Sequence, residues 1–312
     1  MIIKPVARGL LTYIPGFYNL FSKRKKIDNV SAEYFYGLWI KHLTMLFQNG
    51  MKTIPESVAE IGPGSSIGLG LAALLSGANK YCAFDVVDHT DLKSNLKIFD
   101  QLVEYFKIKK GVKTGGWPDY YKYLDPNGFP SHILTDEILE KTLSEDRISE
   151  IRNILLNKES QTGIEIKYIA PWVNYNKLKK CVDLVISHSV LEHVNDLKNT
   201  YKAMSKWLKQ DGFISHQIDF RSHKTTNTWN GHWQISDALW KLIVGKRPFL
   251  INRQPCSKHI ELIKNNRFEI LCSLKNIRDD GIYRQQLARD FQHINDEDLN
   301  TSGWFVQAML KV

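Results

Sequence analysis

The chain has 312 residues, 43% hydrophobic and 24% charged, which is the composition of an ordinary globular protein large enough to bury a full core. Its formal charge of +9 is a mild basic excess that suits phosphates, an acidic glycan or an anionic membrane surface. The only tight basic run is Lys23 to Lys26, without the interleaved aromatics of a nucleic-acid-binding stripe, so no nucleic acid is expected as a partner.

Residues 1–50 read as an N-terminal helical arm and residues 51–312 as one domain. In the arm, Gly9 to Phe21 is rich in aliphatic and aromatic side chains and runs into Lys23 to Lys26. Peripheral contact with a membrane through residues 9–26 therefore competes with simple packing on the domain, Pro15 being the bend. Arg8, Pro15 and Gly16 interrupt any signal-peptide core, and no apolar run nears the roughly 20 residues that span a bilayer. A cytoplasmic location is the expectation. Ser31 caps a helix over 31–48 that carries Phe35, Leu38, Trp39, His42, Leu46 and Phe47 at helical spacing, and Gly50 closes it.

Residues 57–76 predict a buried strand, a glycine turn and an apolar helix ended by Gly77. Gly62 and Gly64 let backbone approach a ligand, and the helix start offers unpaired N–H donors. A second strand, 80–87, carries Asp85 at its carboxyl end, placed to accept hydrogen bonds from a ribose. From about 88 to 163 the alternation breaks, over a length about twice that of a plain crossover. This insertion contains a Gly/Pro/Tyr-rich stretch (115–130) and two helical patterns, 135–143 and 145–156, and suits a lid or acceptor-binding element. Strands resume at 164–170 and 181–187, and Asp196 caps a helix with Leu197, Tyr201, Met204 and Leu208 on one face. A strand at 212–218 precedes a second insertion, 219–256; Ser257 caps a helix to Asn265, and strands at 268–272 and 304–310 finish the chain. The sum is a doubly wound α/β sheet with helices on both faces. Of the four widely spaced cysteines, Cys82 and Cys181 fall in or beside strand runs and read as buried free thiols.

A dinucleotide turn needs a third glycine where this chain has Ile67, and Glu60 would set negative charge beside a pyrophosphate. A cofactor bearing an ammonium and a sulfonium is instead favoured by Glu60, which points to S-adenosyl-L-methionine rather than NAD. The blocks Glu60-Ile-Gly-Pro-Gly-Ser-Ser66, Asp85, Asp183 to Val194 and Trp207 to Phe213 closely resemble the class I S-adenosylmethionine-dependent methyltransferases, over roughly residues 55–218. The resemblance implies a seven-stranded Rossmann-like sheet whose last strand, around Phe305, is antiparallel. It also implies that Glu60, Gly62, Gly64 and Ser65 surround the methionine end of the cofactor and that Asp85 holds the ribose. Ser187, His188 and Ser189 would face the reactive methyl. Where such enzymes often carry an acid for the adenine, this chain has Ala170-Pro-Trp172, and Trp172 is the candidate to stack on the ring.

Methyl transfer to a hydroxyl needs a base, and histidines cluster after residue 215. Along 216–219 only one alternating pair, His216 with Ile218 or Gln217 with Asp219, can face the ligand. His232 and His223 rank as base candidates with Asp219 as orienter; His193, in a helix turn, reads as structural. Asp219, His223 and His232 have donor types suited to a divalent ion, but no spacing fixes three-ligand geometry and no metal is assigned. Arg221, Lys224, Lys246, Arg247 and Arg253 with Trp229, Trp233 and Trp240 suggest a basic, flat-walled acceptor surface, which Tyr120, Tyr121 and Tyr123 could extend. O-methylation of a sugar, surface-glycan or glycolipid precursor is the leading expectation. A small metabolite or lipid acceptor, and a non-catalytic scaffold of the same fold, remain as alternatives.

Overall fold

The computed structural model describes residues 3–14, 31–113, 116–156, 163–172, 178–247 and 250–311. Apolar runs too short for helices become its central strands: β1 (Ser57–Ile61), β2 (Lys80–Phe84), β3 (Glu165–Ile169), β4 (Val182–His188) and β5 (Leu208–Asp219). All of these pair in parallel, and helices cover both faces, as strands apolar on both sides require. β6 (Phe268–Ile277) and β7 (Thr301–Leu310) complete the sheet, β7 running antiparallel to both β5 and β6. The order is β3-β2-β1-β4-β5-β7-β6. Chain order reverses between β1 and β4, and such a switch point opens a crevice at the carboxyl ends of the strands. The seven-stranded, doubly wound sheet expected from the sequence is the one observed.

The helices in chain order are α1 (Ile3–Leu11), α2 (Ala32–Gln48), α3 (Gly68–Leu75), α4 (Leu92–Lys107), α5 (Asp136–Thr142), α6 (Glu145–Leu155), α7 (Leu197–Trp207), α8 (Asp237–Val244), α9 (Cys256–Asn265) and α10 (Asp296–Asn300). On one face α2, α3 and α4 pack with Val58, Tyr81, Leu184 and Phe213. On the other, α7 and α9 pack with Ala59, Phe84, Val185 and Ile214. The alternation of these residues along each strand is the period of two expected of a pleated sheet. α2 is buried on nearly every side, and Trp39 Nε1 donates to Ser76 Oγ at 2.7 Å, tying α2 to the end of α3.

The N-terminal arm is part of the fold rather than an appendage. α1 docks on α8 in the second insertion, where Val6 joins a small core of Ile235, Trp240, Ile243 and Ile251. Of the segment 9–26 considered for membrane contact, residues 15–26 lie outside the described residues; Leu10, Tyr13 and Ile14 are exposed. No described helix is long and apolar enough to cross a membrane.

The first insertion is likewise built in. Tyr120, Phe129, Ile133 and Leu134 join the core against α2, and Arg147 on α6 donates to Leu74 O (3.0 Å) and Ala78 O (2.6 Å) behind α3. Two local expectations are corrected. Cys181 is exposed, because it precedes β4 rather than entering it, while Cys82, Cys256 and Cys272 are buried free thiols. α9 starts at Cys256 behind Pro255, and the acceptor at its start is Asp298, which takes the Ser257 N–H at 2.9 Å.

Candidate functional site

The switch point is shaped by the glycine turn after β1. Gly62 and Gly64 have φ of +72° and +71°, left-handed values that side chains rarely adopt. A Cβ on Gly62 would lie 2.5 Å from Val190 Cγ1, so the loop after β4 closes directly on the turn, whereas Gly64 faces open space. Ser65 follows, half-buried. Asp85, buried at the end of β2, accepts Gly64 N–H at 3.2 Å and Val86 N–H at 2.7 Å. Turn and acid are thus one unit.

The start of α3 differs from the expectation of free donors. Asn95 Oδ1 accepts both the Ser66 hydroxyl (2.8 Å) and Ile67 N–H (3.2 Å), and Ser66 Oγ accepts Gly68 N–H at 3.2 Å. With those donors satisfied internally and Ile67 in the core, nothing there receives a pyrophosphate. Glu60 is buried beneath the turn and accepts the Tyr81 hydroxyl. Burial pushes its carboxyl up to about 8, against the Tyr81 bond and with help from Asp85.

From Gly62 and Asp85 a cleft of about 1200 Å³ runs along α7, walled by Phe84, Trp172, Val190 and Trp207. Trp172 is fixed beside the acid, its N–H donating to Asp85 O at 3.1 Å. Its ring lies 5.9 Å from Phe84 and 5.6 Å from Trp207, which stack on each other at 4.3 Å.

At the ends of β4 and β5 the alternation resolves which pair faces where. His216 turns toward α7 and α9, its Nδ1 bonded to Ser187 Oγ at 2.7 Å, next to the Tyr201–His259 pair (3.0 Å). Ser187, which the resemblance implies to face the reactive methyl, is fully buried and bonded to His216. Gln217 takes the opposite side, accepting from Lys41 Nζ at 2.5 Å. His188 is on that side too, its ring 5.9 Å from His42 and 6.2 Å from Tyr34; burial drives its pKa down to about 3, so it is neutral. Lys41 is lowered to about 8 by burial. His42 Nδ1 meets Ser215 Oγ at 2.7 Å, and Gln307 Nε2 donates to that same oxygen at 2.9 Å. The sequence reading left out Lys41 and placed His42 only in the core. The available signal was a lysine and a histidine inside a helix otherwise apolar all round.

Asp219 binds Arg221 through Nε (2.8 and 3.0 Å) and Nη2 (2.6 Å). Burial opposes ionisation there, but the guanidinium holds the carboxyl below its ordinary value. His223 Nε2 lies 3.5 Å from Asp219 Oδ2. His232 is not its equal: it is 1% exposed, packed 4.6 Å from Trp233, and burial pushes its pKa down to about 3. His223 forms the rim and His232 lies behind it. The donors weighed from the sequence do not assemble. Among the described residues, the ligand atoms that come within 4.8 Å of one another are those of Glu192, His193 and His223.

Among its described residues the second insertion offers no flat wall of tryptophans. Trp229, Trp233 and Trp240 are buried. Arg253 sits between Trp240 (4.6 Å) and Phe291 (4.5 Å), donates to His232 O (3.1 Å) and Ile235 O (2.7 Å), and pairs with Asp237. Arg247 donates to the Ile243 and Val244 carbonyls. Apolar surface large enough to stack a ligand was here used to build a core. Only Lys224 and Lys246 of that basic set stay exposed without an acid partner among the described residues. The first insertion instead lines a cleft of about 370 Å³ with α2, bordered by Tyr34, Lys41, Trp117, Tyr120 and Tyr121. Trp117 reaches Gly303, which pairs with Asp219 across the sheet.

A family model described as a methyltransferase domain matches residues 156–215. No curated protein sequence matches the chain. Solved structures similar to it include an S-adenosylmethionine-dependent methyltransferase from Mesorhizobium loti, 13% identical, with 90% of this chain and 98% of that one covered and a TM-score of 0.41. Another is the PH0226 protein from Pyrococcus horikoshii, 13% identical over 88% and 91% of the two chains, at 0.42. Phosphoethanolamine N-methyltransferase 2 from Haemonchus contortus, in complex with S-adenosyl-L-methionine, is 11% identical over 90% of this chain and 58% of that one, at 0.41. The matched segment runs through β4 and α7 to β5, the part of the sheet beside the switch-point cleft. Together with the strand order and the Glu60-to-Ser65 turn facing Asp85, this partial match supports a class I S-adenosylmethionine-dependent methyltransferase.

Proposed function

We propose that this methyltransferase transfers the methyl to a hydroxyl of a sugar, as found in a surface-glycan or glycolipid precursor. When bound, S-adenosylmethionine supplies a methyl group on a cationic sulfur. The residues at the switch point fit it. Gly64 leaves space where any side chain would intrude, Asp85 offers carboxylate oxygens to a ribose, and Trp172 offers a ring face beside Asp85 for the adenine. Glu60 lies under the turn for an ammonium group, with Gly62 and Ser65 completing the methionine end.

On the acceptor side, Tyr34, Trp117 and Tyr121 give aromatic faces on which a sugar ring stacks, with Tyr120 buried behind Tyr121 and Lys41 a cation beneath them. His188 and His223 border the same strand ends. His223 on the rim, oriented by Asp219, takes the hydroxyl proton, and His232 backs it. The observation that carries this reading is that two residues of the second cleft meet the ends of β4 and β5, Lys41 donating to Gln217 at 2.5 Å and the Tyr34 ring lying 6.2 Å from His188.

Calorimetry with S-adenosylmethionine should give saturable binding that Asp85→Ala weakens at least about tenfold and Gly64→Val abolishes, since hydrogen bonds to a charged group are worth about 1.5–3 kcal/mol. Absence of binding to the unmutated chain would sink the assignment. An acceptor screen with labelled methyl donor against cell-envelope glycan fractions tests the substrate class; incorporation only into lipid or small-metabolite fractions would overturn the sugar reading.

A further inference from the structure

We propose that Glu192, His193 and His223 form a binding site for a divalent transition-metal ion. Glu192 and His193 are consecutive on the short 3-10 turn Leu191–His193 after β4. Asn252 from the second insertion braces that turn: its N–H donates to Glu192 O at 2.6 Å and its amide to Leu191 O and Val194 O, each at 2.8 Å. His223 arrives from the loop after β5. One ligand atom from each of the three lies within 4.8 Å of the others.

The Glu192 carboxylate is what sets this cluster apart from a satisfied polar core. It is 2% exposed, and neither oxygen makes a hydrogen bond. Burial holds the carboxyl well above its ordinary value and the Asp219 charge adds to that, while the backbone N–H groups of residues 192 and 219 and the Arg221 charge, already clasped by Asp219, offset it only in part. A carboxylate taken out of water without a partner is costly, and a cation bound between it and two imidazoles removes that cost. Two nitrogens and one carboxylate oxygen suit Mn, Co, Ni or Zn, whereas magnesium and calcium prefer oxygen alone. Three protein ligands leave coordination positions open. Asp219, 3.5 Å from His223 Nε2, stands where a carboxylate orients a ligating imidazole.

His193 also lines the switch-point cleft, so an ion held there would border it. Its use there, to hold an acceptor oxygen and lower its pKa, rests on the proposed function; the site itself does not. With the ion bound, His223 is a ligand in place of a base.

The test uses the full chain, stripped with a chelator and titrated with Co²⁺ without S-adenosylmethionine, following visible d–d absorption. One ion per chain should bind saturably. Glu192→Gln and His223→Gln should each weaken binding at least about tenfold while calorimetry shows S-adenosylmethionine binding retained, which certifies their folding. No saturable absorption in the unmutated chain, or affinity unchanged in both variants, overturns the site. If Glu192→Gln does not fold, His223→Gln on the rim decides alone. Cobalt binding without any cofactor binding would uphold the metal site and overturn the proposed function.

Discussion

In the proposed function Glu60 serves both the folded chain and its ligand, and the two uses conflict. With no cation beside it, burial favours the neutral acid, held by the Tyr81 hydroxyl with the Asp85 charge nearby and Tyr34 on the side of α2. Because the folded value, about 8, lies above the ordinary one, the stability that Glu60 contributes is full below pH 4.5 and fades as pH rises through 8. An ammonium group favours the carboxylate, so binding expels a proton. Affinity for S-adenosylmethionine should therefore rise between about pH 6 and about 7.5, approaching but not exceeding about tenfold per unit. Glu60→Gln should flatten that rise. Calorimetry at several pH values reads it directly, and a pH-independent affinity in the unmutated chain would rule out the ammonium contact.

At the scale of elements, the docking of α1 on α8 depends on one absent side chain. A Cβ on Gly9 would lie 1.9 Å from Leu242 O and 2.6 Å from Ile243 O, backbone atoms that cannot move aside cheaply. The same contact is stitched by the Thr12 hydroxyl donating to Gly9 O at 2.5 Å and Lys246 N–H donating to Thr12 Oγ1 at 2.8 Å. Gly9→Val should cost roughly 1–3 kcal/mol, the range for forced overpacking. Since α1 touches the second insertion and not the central strands, the loss should be local. Hydrogen exchange should speed up in α1 and α8 while β1, β4 and β5 stay protected; uniform acceleration would show that the arm holds up the whole sheet.

For the whole molecule, buried histidines set the acid limit. Burial pushes His188, His216 and His259 down to about 3, against an ordinary value of 6.5. Between those values the unfolded chain binds more protons than the folded one, so stability is full above pH 6.5 and drains as pH falls toward 3. Each histidine contributes a slope of up to about 1.4 kcal/mol per pH unit. His232, also at about 3, and His42, well below 6.5, act in the same sense; Glu60 and Glu192, both raised by burial, slope the other way but are two groups against five. Urea midpoints should drop from about pH 7 to about 5, and His259→Gln should lessen that drop by up to about 1.4 kcal/mol per pH unit, one histidine's share. A midpoint flat over that range would mean that these imidazoles titrate freely.

The reach of the sequence divides along a physical line. The strands, the cofactor turn and the choice of S-adenosylmethionine over a dinucleotide were legible because each depends on neighbours in the chain. Short apolar runs must be strands, Gly62 and Gly64 must take left-handed backbone, an acid ends the next strand, and Ile67 fills the third-glycine place. Pairings across the sheet were not legible, because crossovers bring together residues more than a hundred positions apart. Lys41 meets Gln217, and His42 meets Ser215. Nor does sequence tell a tryptophan that stacks a ligand from one that fills a core, since both are apolar surface; packing alone put Trp233 and Trp240 inside. Likewise Leu-Glu-His-Val carries no sign that His223 lies opposite it. That was decided where β4 and β5 end side by side, and it is tertiary structure that turned a structural-looking histidine into one corner of a three-ligand cluster.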